Sequence, residues 1–412
     1  MGVAPPKRPD SGLFNLGKEK TLKILTSCCL GLLLIIGSLL AVHPALAQIP
    51  CGPTISPLPT LFVNWPQYRY DAKHSGCNPY ESILGTATVG NLVLNWTYPT
   101  MSDFYYFSPV VANGVVYVES IDFNLYAVNA ATGALLWKYT TGNQVESSPT
   151  VANGVVYFGA DDNYVYAVNA ATGALVWRYL TGGPFDSSPA VANGVVYIGS
   201  EDRNLYALNA STGALLWEYA TGGGPSSPAV ANGMVYVGSL APNPGVYALN
   251  ASTGALLWKY STGLRVISSP AVVNGVVYVG GDDANLYALN AVTGALLWKY
   301  ATGGNVASSP AVANGVVYVG SEAGSFYALN ASTGALLWSY NTGNFIYSSP
   351  AVANGVVYFQ AGKTYALNAT TGAVLWKSAT GNVASTTPAV ANGVLYVGSD
   401  EGSLYAYHLP GQ

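Results

Sequence analysis

Residues 187–222 read SSPAVANGVVYIGSEDRNLYALNASTGALLWEYATG, from Ser187 to Gly222. Four runs in this stretch are rich in β-branched, aromatic and aliphatic residues: Ser188–Ala192, Val195–Gly199, Asn204–Leu208 and Ala214–Tyr219. That composition suits a pleated, half-buried surface. Between the first two runs, Asn193-Gly194 supplies the positive φ angles of a type I′ hairpin. Between the last two, Ser211-Thr212-Gly213 is a second tight turn, with the glycine free to take the left-handed conformation. No sustained helical period interrupts the pattern. The stretch encodes one four-stranded antiparallel sheet.

It recurs. Eight copies at a period of about 40 residues fill the chain from Asn91 to His408. The Asn-Gly pair occurs eight times, from Asn113-Gly114 to Asn392-Gly393, and the preceding proline eight times, from Pro109 to Pro388. Eight periodic tryptophans run from Trp96 to Trp376, with Trp65 outside the series. One such unit cannot bury its apolar face alone, so the copies must stack. Four antiparallel strands repeated radially make an all-β, eight-bladed β-propeller. The last copy stops after its third strand, Leu404–Tyr407, and an orphan fourth strand, Asn91–Tyr98, precedes the first copy. Joining them closes the ring and removes two sheet edges. An open solenoid would want capping repeats instead. The tyrosines that recur in every blade, such as Tyr117, Tyr157 and Tyr197, read as blade-to-blade packing, since a single ligand site rarely needs all eight copies.

Charged residues make up 8% of the chain, where about 25% is usual for a soluble domain. Mean hydropathy is +0.29, yet no apolar run in the repeats approaches the roughly 20 residues of a spanning helix. The first residues differ. Lys7, Arg8, Lys18, Lys20 and Lys23 precede the apolar run Ile24–Val42, and Ala45-Leu46-Ala47 offers a cleavage site before Gln48. Residues 1–47 read as a secretory signal peptide, which makes the rest extracytoplasmic, secreted or held in the cell envelope. The run is near spanning length, so an uncleaved anchor is the alternative, and the one expected route to a membrane. Cys28 and Cys29 sit early in the run, away from a small-residue cleavage box, which argues against a lipoprotein. Residues 48–90 form a Pro-rich lead-in holding Cys51 and Cys77, which either pair in the exported protein or stay as two thiols. The propeller takes residues 91–412.

Strands alternate in direction, so the Asn-Gly and Thr-Gly turns share one face and the remaining connections share the other. The first set is nearly invariant between copies. The second set differs from blade to blade, as loops positioned by a rigid scaffold do when they carry function. Seventeen of the 19 acids lie beyond residue 47, and fourteen of those fall in the variable connections, opposed there by Arg203, Arg265 and Lys363. A face this acidic repels phosphates, which disfavours nucleic acid. Asp161-Asp162 and Asp282-Asp283 offer carboxylate oxygens to calcium, but no loop has a full ligand set, and no metal is expected. Hydrolysis finds no Ser-His-Asp set and no paired acid and base. The expected ligand-binding residues are Phe104, Tyr105, Tyr106, Phe107, Glu146, Phe185, Asp186, Arg203, Arg265, Phe345 and Tyr347, the aromatic ones as anchors. No catalytic residue is assigned, and the chain is expected to be a monomer.

The step Ala127-x-Asn129-x-x-Thr132-Gly133-x-x-x-Trp137 repeats in seven blades and resembles the tryptophan-docking signature of the pyrroloquinoline quinone (PQQ) repeat propellers, with Asn where Asp is common. The segment Trp65–Gly76 is similar to the lead-in before many such propellers. The resemblance covers Asn91 to His408 and implies the fold. For function it implies one of two things. One is a non-catalytic scaffold, as in the outer-membrane assembly propellers, docking a protein or carbohydrate of the cell envelope. The other is a quinone-dependent dehydrogenase holding PQQ with calcium. The second is the alternative here: the adjacent cysteines typical of that group occur only at Cys28-Cys29, and a trianion fits poorly among fourteen acids. No cofactor is expected.

Overall fold

A computed structural model describes residues 1–2, 63–100, 108–379, 386–399 and 401–411. The polypeptide divides into two compact units, Met1–Ile49 and Pro50–Gln412, and the sheets formed by the described residues lie in the second. The expected signal peptide, Cys51 and the aromatic run Phe104, Tyr105, Tyr106 and Phe107 lie outside the described residues. Cys77 carries a disulfide bond.

Eight sheets follow the repeat count; seven are wholly antiparallel, and the other gains Cys77–Asn78 as a fifth strand, parallel to Ala351–Ala353. In the blade quoted above, the strands are Ala190–Ala192, Val195–Gly199, Asn204–Asn209 and Leu215–Ala220, paired in chain order. The eighth blade takes its outer strand, Val93–Pro99, from the start of the ring and pairs it with Ser403–His408, Trp96 opposite Ala406. The closure expected from the split last copy is the closure found.

Both turn types have the geometry their residues require. Asn193 and Gly194 sit at φ 51° and 77°, and all eight Asn-Gly pairs are positive at both positions. In the other turn, Asn209 Oδ1 accepts the N–H groups of Ser211 and Thr212, each at 3.0 Å, and Gly213 sits at φ 72°. A Cβ at Gly213 would lie 2.7 Å from the indole of Trp177 on the preceding blade. The tryptophan therefore packs directly on its neighbour's glycine turn. Its Nε1 donates to the Ala210 carbonyl at 2.8 Å, and the Tyr157 hydroxyl donates to the same oxygen at 3.1 Å. This two-donor clasp recurs at seven blade interfaces. At the eighth, beside the closure, Trp376 Nε1 reaches the Leu92 carbonyl at 3.2 Å, and the Tyr358 hydroxyl is buried without a partner. The recurrent tyrosines are core residues.

The lead-in is part of the ring's interior. An innermost strand of three residues leaves its inner edge in need of hydrogen-bond partners. Trp65–Asn78 supplies one to each blade in turn. Trp65 exchanges N–H···O bonds with Val111, each 2.8 Å. The carbonyls of Pro66, Ala72, Lys73, Ser75 and Gly76 accept from Val151, Val230, Val272, Val312 and Val352, at 2.6–2.9 Å. Gln67 bonds Val191 through its side-chain amide, and Asn78 Nδ2 donates to the Val390 carbonyl at 2.7 Å. In every case the partner is the central residue of the innermost strand. Arg69, fully buried, braces the circuit by donating to the carbonyls of Ser309 and Pro310. Burial lowers its pKa to about 10. A Cβ on Gly76, at φ 66°, would meet both that guanidinium and Ala311, so the approach demands glycine.

Candidate functional site

The acids of the variable face fall into two groups set by register. After the second strand of a blade comes a two-residue step such as Glu201-Asp202. The second residue of the step is a structural staple. Asp202 Oδ2 accepts the Tyr206 hydroxyl at 2.6 Å and the Gly182 N–H, from the connection before it, at 2.9 Å. Asp122, Asp162 and Asp283 accept the hydroxyls of Tyr126, Tyr166 and Tyr287 in the same way. The first residue of the step, Asp161, Glu201, Asp282 or Glu322, has its N–H bonded to the connection beside the axis. The pairs Asp161-Asp162 and Asp282-Asp283, read from the sequence as joint calcium ligands, are thus divided. One member staples its turn and the other faces elsewhere.

Glu146, Asp186, Glu201 and Glu322 border a cavity of about 580 Å3 on the axis. Hydroxyls from seven blades line it, the second serine of each Ser-Ser-Pro step from Ser148 to Ser349 together with Thr387. These hydroxyls also tie blade to blade: the N–H of Ser148 donates to Ser188 Oγ at 3.1 Å, and that of Ser188 to Ser227 Oγ at 2.9 Å. Tyr68 of the axial segment lines the cavity, so the segment that satisfies the inner strands also closes the channel. Carboxylate oxygens of Glu146, Asp161 and Asp186 lie within 4.8 Å of one another, a spacing that one cation could bridge.

The charge of this cluster is only partly offset: the Phe185 backbone N–H donates to Asp161. Burial, with Asp161 and Asp186 alongside, pushes the Glu146 carboxyl up to about 7. Burial and Asp186 raise Asp161 to about 6. Desolvation raises Asp186 and, with Asp186 and Asp202 adding to it, Glu201. Like charges crowded out of water favour the protonated form, or a cation that would replace the proton.

Of the residues singled out from the sequence, Glu146, Asp186 and Tyr347 converge on the cavity. Phe345 stands 65% exposed outside it, edge-on to Tyr347 at 6.2 Å. Arg203 is exposed on a turn at φ 76°. Arg265 is engaged by Asp282, Nε to Oδ2 at 2.7 Å. Phe185 is a correction: it is fully buried, and a Cβ on Gly159 would lie 2.5 Å from it. Its equivalents Val145, Val266, Val306 and Ile346 are fully buried too. The position fills the space above a strand glycine and offers no anchor. Reading the copies in register would have shown this, and would have added Asp161, Glu201 and Glu322 to the site. Tyr68 had no repeat to reveal it.

The resemblance implies PQQ, a tricarboxylate, for the dehydrogenase branch of these propellers. No Lys, Arg or His is among the described residues lining the cavity. Arg265 is held by Asp282, and four carboxyls already compete for positive charge. The donor set does not fit a trianion.

Comparison with known proteins bears on the family. No curated protein sequence matches the chain. BamB from Moraxella catarrhalis is similar in structure, with 19% identity, a TM-score of 0.66, and coverage of 78% of this chain and 98% of that one. Quinohemoprotein alcohol dehydrogenase ADHIIG from Pseudomonas putida HK5 is similar with 18% identity and a TM-score of 0.72, over 89% of this chain and 83% of that one. A europium-containing methanol dehydrogenase is similar with 14% identity and a TM-score of 0.73, over 84% and 98%. At such identities the likeness shows the fold. The family described as outer membrane protein assembly factor BamB matches residues 100–184, 161–306, 242–359 and 343–410. These overlapping matches run through most of the ring, and the chain belongs to that family of PQQ-like repeat propellers.

Proposed function

We propose that this protein is an extracytoplasmic, non-catalytic binding scaffold. Its partner is a protein segment of the cell envelope that places a lysine or arginine side chain in the axial cavity. The observation that carries this reading is the gathering of Glu146, Asp186 and Glu201 at that cavity, with Asp161 within 4.8 Å of the first two, and with carboxyls raised by burial and mutual repulsion. An entering cation relieves that repulsion while the lining hydroxyls accept its hydrogen bonds. Backbone strain on the same face supports the reading. Phe123 and Arg203 sit at φ 74° and 76°, where two other blades place Gly324 and Gly402. Each non-glycine residue there costs about 1–2 kcal/mol. Side chains kept at that cost are candidates for contact with a ligand.

Fluorescence anisotropy with a labelled pentalysine peptide tests the proposal. Saturable binding is expected, weakened about tenfold or more when Glu146→Gln and Asp186→Asn are combined, with the melting temperature preserved. Absence of binding, or binding indifferent to both substitutions, overturns it. Preferential binding of an amine-bearing glycan shifts the partner class away from protein. The dehydrogenase alternative is met by adding PQQ and calcium and following dye-linked oxidation of alcohols and sugars. Turnover there overturns the scaffold reading.

A further inference from the structure

The outer strands carry an apolar girdle. Fifteen Leu and Val side chains at their starts, Leu215 and Leu216 in the quoted blade, are 40–51% exposed, and every blade contributes. The local cause is a bulge. Leu215 pairs with Leu208 and Trp217 with Ala207, so Leu216 is an extra residue and both leucines are turned outward. An exposed apolar pair repeated on the outer strands is the kind of surface that marks a contact site. The tryptophan follows each pair, and after it comes a cation in five blades: Lys138, Arg178, Lys259, Lys299 and Lys377, all exposed. Two residues along a strand is about 7 Å, so an apolar belt is bordered by a cationic one.

Three observations identify what covers it. The Asn-Gly and Thr-Gly turns on the leucine side carry no charge of their own, and most acids lie in the connections of the opposite face; Glu81, buried against the Gly393 N–H, and Glu218, which takes the cation's place in the quoted blade, are exceptions. The chain enters the ring on the leucine side: the Val63 N–H donates to Asn392 Oδ1 at 2.6 Å, and Asn64 Oδ1 accepts from the Asn113 N–H at 3.0 Å. The five cations that border the apolar belt are complemented by anionic headgroups.

We propose that the girdle rests on an anionic lipid surface, leucines at the acyl boundary and Lys and Arg at the phosphates, which turns the acidic cavity away from the membrane. This goes beyond the leader, to which the sequence alone assigns any membrane contact. The unit from Pro50 onward is compact and holds the strands of the described residues, so it can be tested without the leader. It is mixed with vesicles of phosphatidylcholine containing phosphatidylglycerol, or of phosphatidylcholine alone, and sedimented. Binding to the anionic vesicles about tenfold or more above the neutral ones is expected. Leu136→Gln, Leu216→Gln, Leu257→Gln and Leu297→Gln together should abolish it. Should that variant unfold, the exposed changes Lys138→Gln, Lys259→Gln and Lys299→Gln should weaken binding about tenfold in a folded ring. Failure to sediment, equal binding to both vesicles, or a dimer that the leucine changes dissociate overturns the proposal.

Discussion

The two faces of the ring are built from the same unit, yet one is uniform and the other varied. On the uniform face each turn serves its neighbour. Gly213 receives Trp177, and the Ala210 carbonyl takes two hydrogen bonds from the preceding blade. A change in one copy is felt in the next, so the copies stay alike. On the varied face only part of each connection is bound in this way. Asp202 staples its turn, while Glu201 beside it has a carboxyl repelled by its neighbours. Variation therefore does not mark function residue by residue. It marks where the packing constraint has been lifted, and the acids left without a structural task are those that meet at the axis.

The largest effect should come from the segment that touches both halves of this contrast. Arg69→Ala strips the Ser309 and Pro310 carbonyls of their donor and opens a void beside Gly76. A loss of about 3–5 kcal/mol is expected by denaturant melting. Next come two glycines at similar positive φ on opposite faces. Gly213→Ala should cost about 3 kcal/mol, because conformational strain adds to collision with Trp177. Gly343→Ala, at φ 75° with open space around it, should cost about 1–2 kcal/mol. Equal losses would dissolve the distinction between the faces. Neighbouring acids give a finer test. Asp202→Asn should cost about 1–2 kcal/mol through its three charge-assisted bonds, from Tyr206, Gly182 and Asn204, and Glu201→Gln should be neutral or slightly stabilising.

The smallest effect is in pH. A carboxyl raised on folding binds its proton in the folded state first, so the cluster destabilises the ring as pH climbs from the ordinary carboxylate range to about 7. Glu146→Gln should then gain about 1 kcal/mol over the parent at pH 8, allowing for solvent screening of a half-buried group, and nothing at pH 4. His74 acts in the opposite sense. Burial, with Arg69 adding to it, holds it neutral down to about 3, so unfolding takes up its proton and stability falls below the ordinary histidine range. The comparison of variant with parent isolates the carboxyl cluster from that loss.

Blade number, closure and both turn types are legible in the sequence because each is written eight times in side chains of restricted conformation. The axial circuit is not. Five of its eight blade contacts are made by main-chain carbonyls alone, which leave no residue pattern, and the segment occurs once. Phe185 misleads for the converse reason: an aromatic residue among variable loops looks like an anchor until it is aligned with Val145 and Val266, which fill the same buried position. The site's acids were visible, but the alternation between Glu201 and Asp202 needed the hydrogen bonds of the turn to separate a free carboxylate from a staple.

The most direct measurement is a carbon-13 NMR titration of the side-chain carboxyls, assigned through Glu146→Gln and Asp161→Asn. Glu146 titrating near 7 and Asp161 near 6, both shifting down when pentalysine is added, is the expected result. Both groups titrating in the ordinary carboxylate range, unmoved by the peptide, would contradict the claim that the axis holds only partly offset negative charge awaiting a cationic partner.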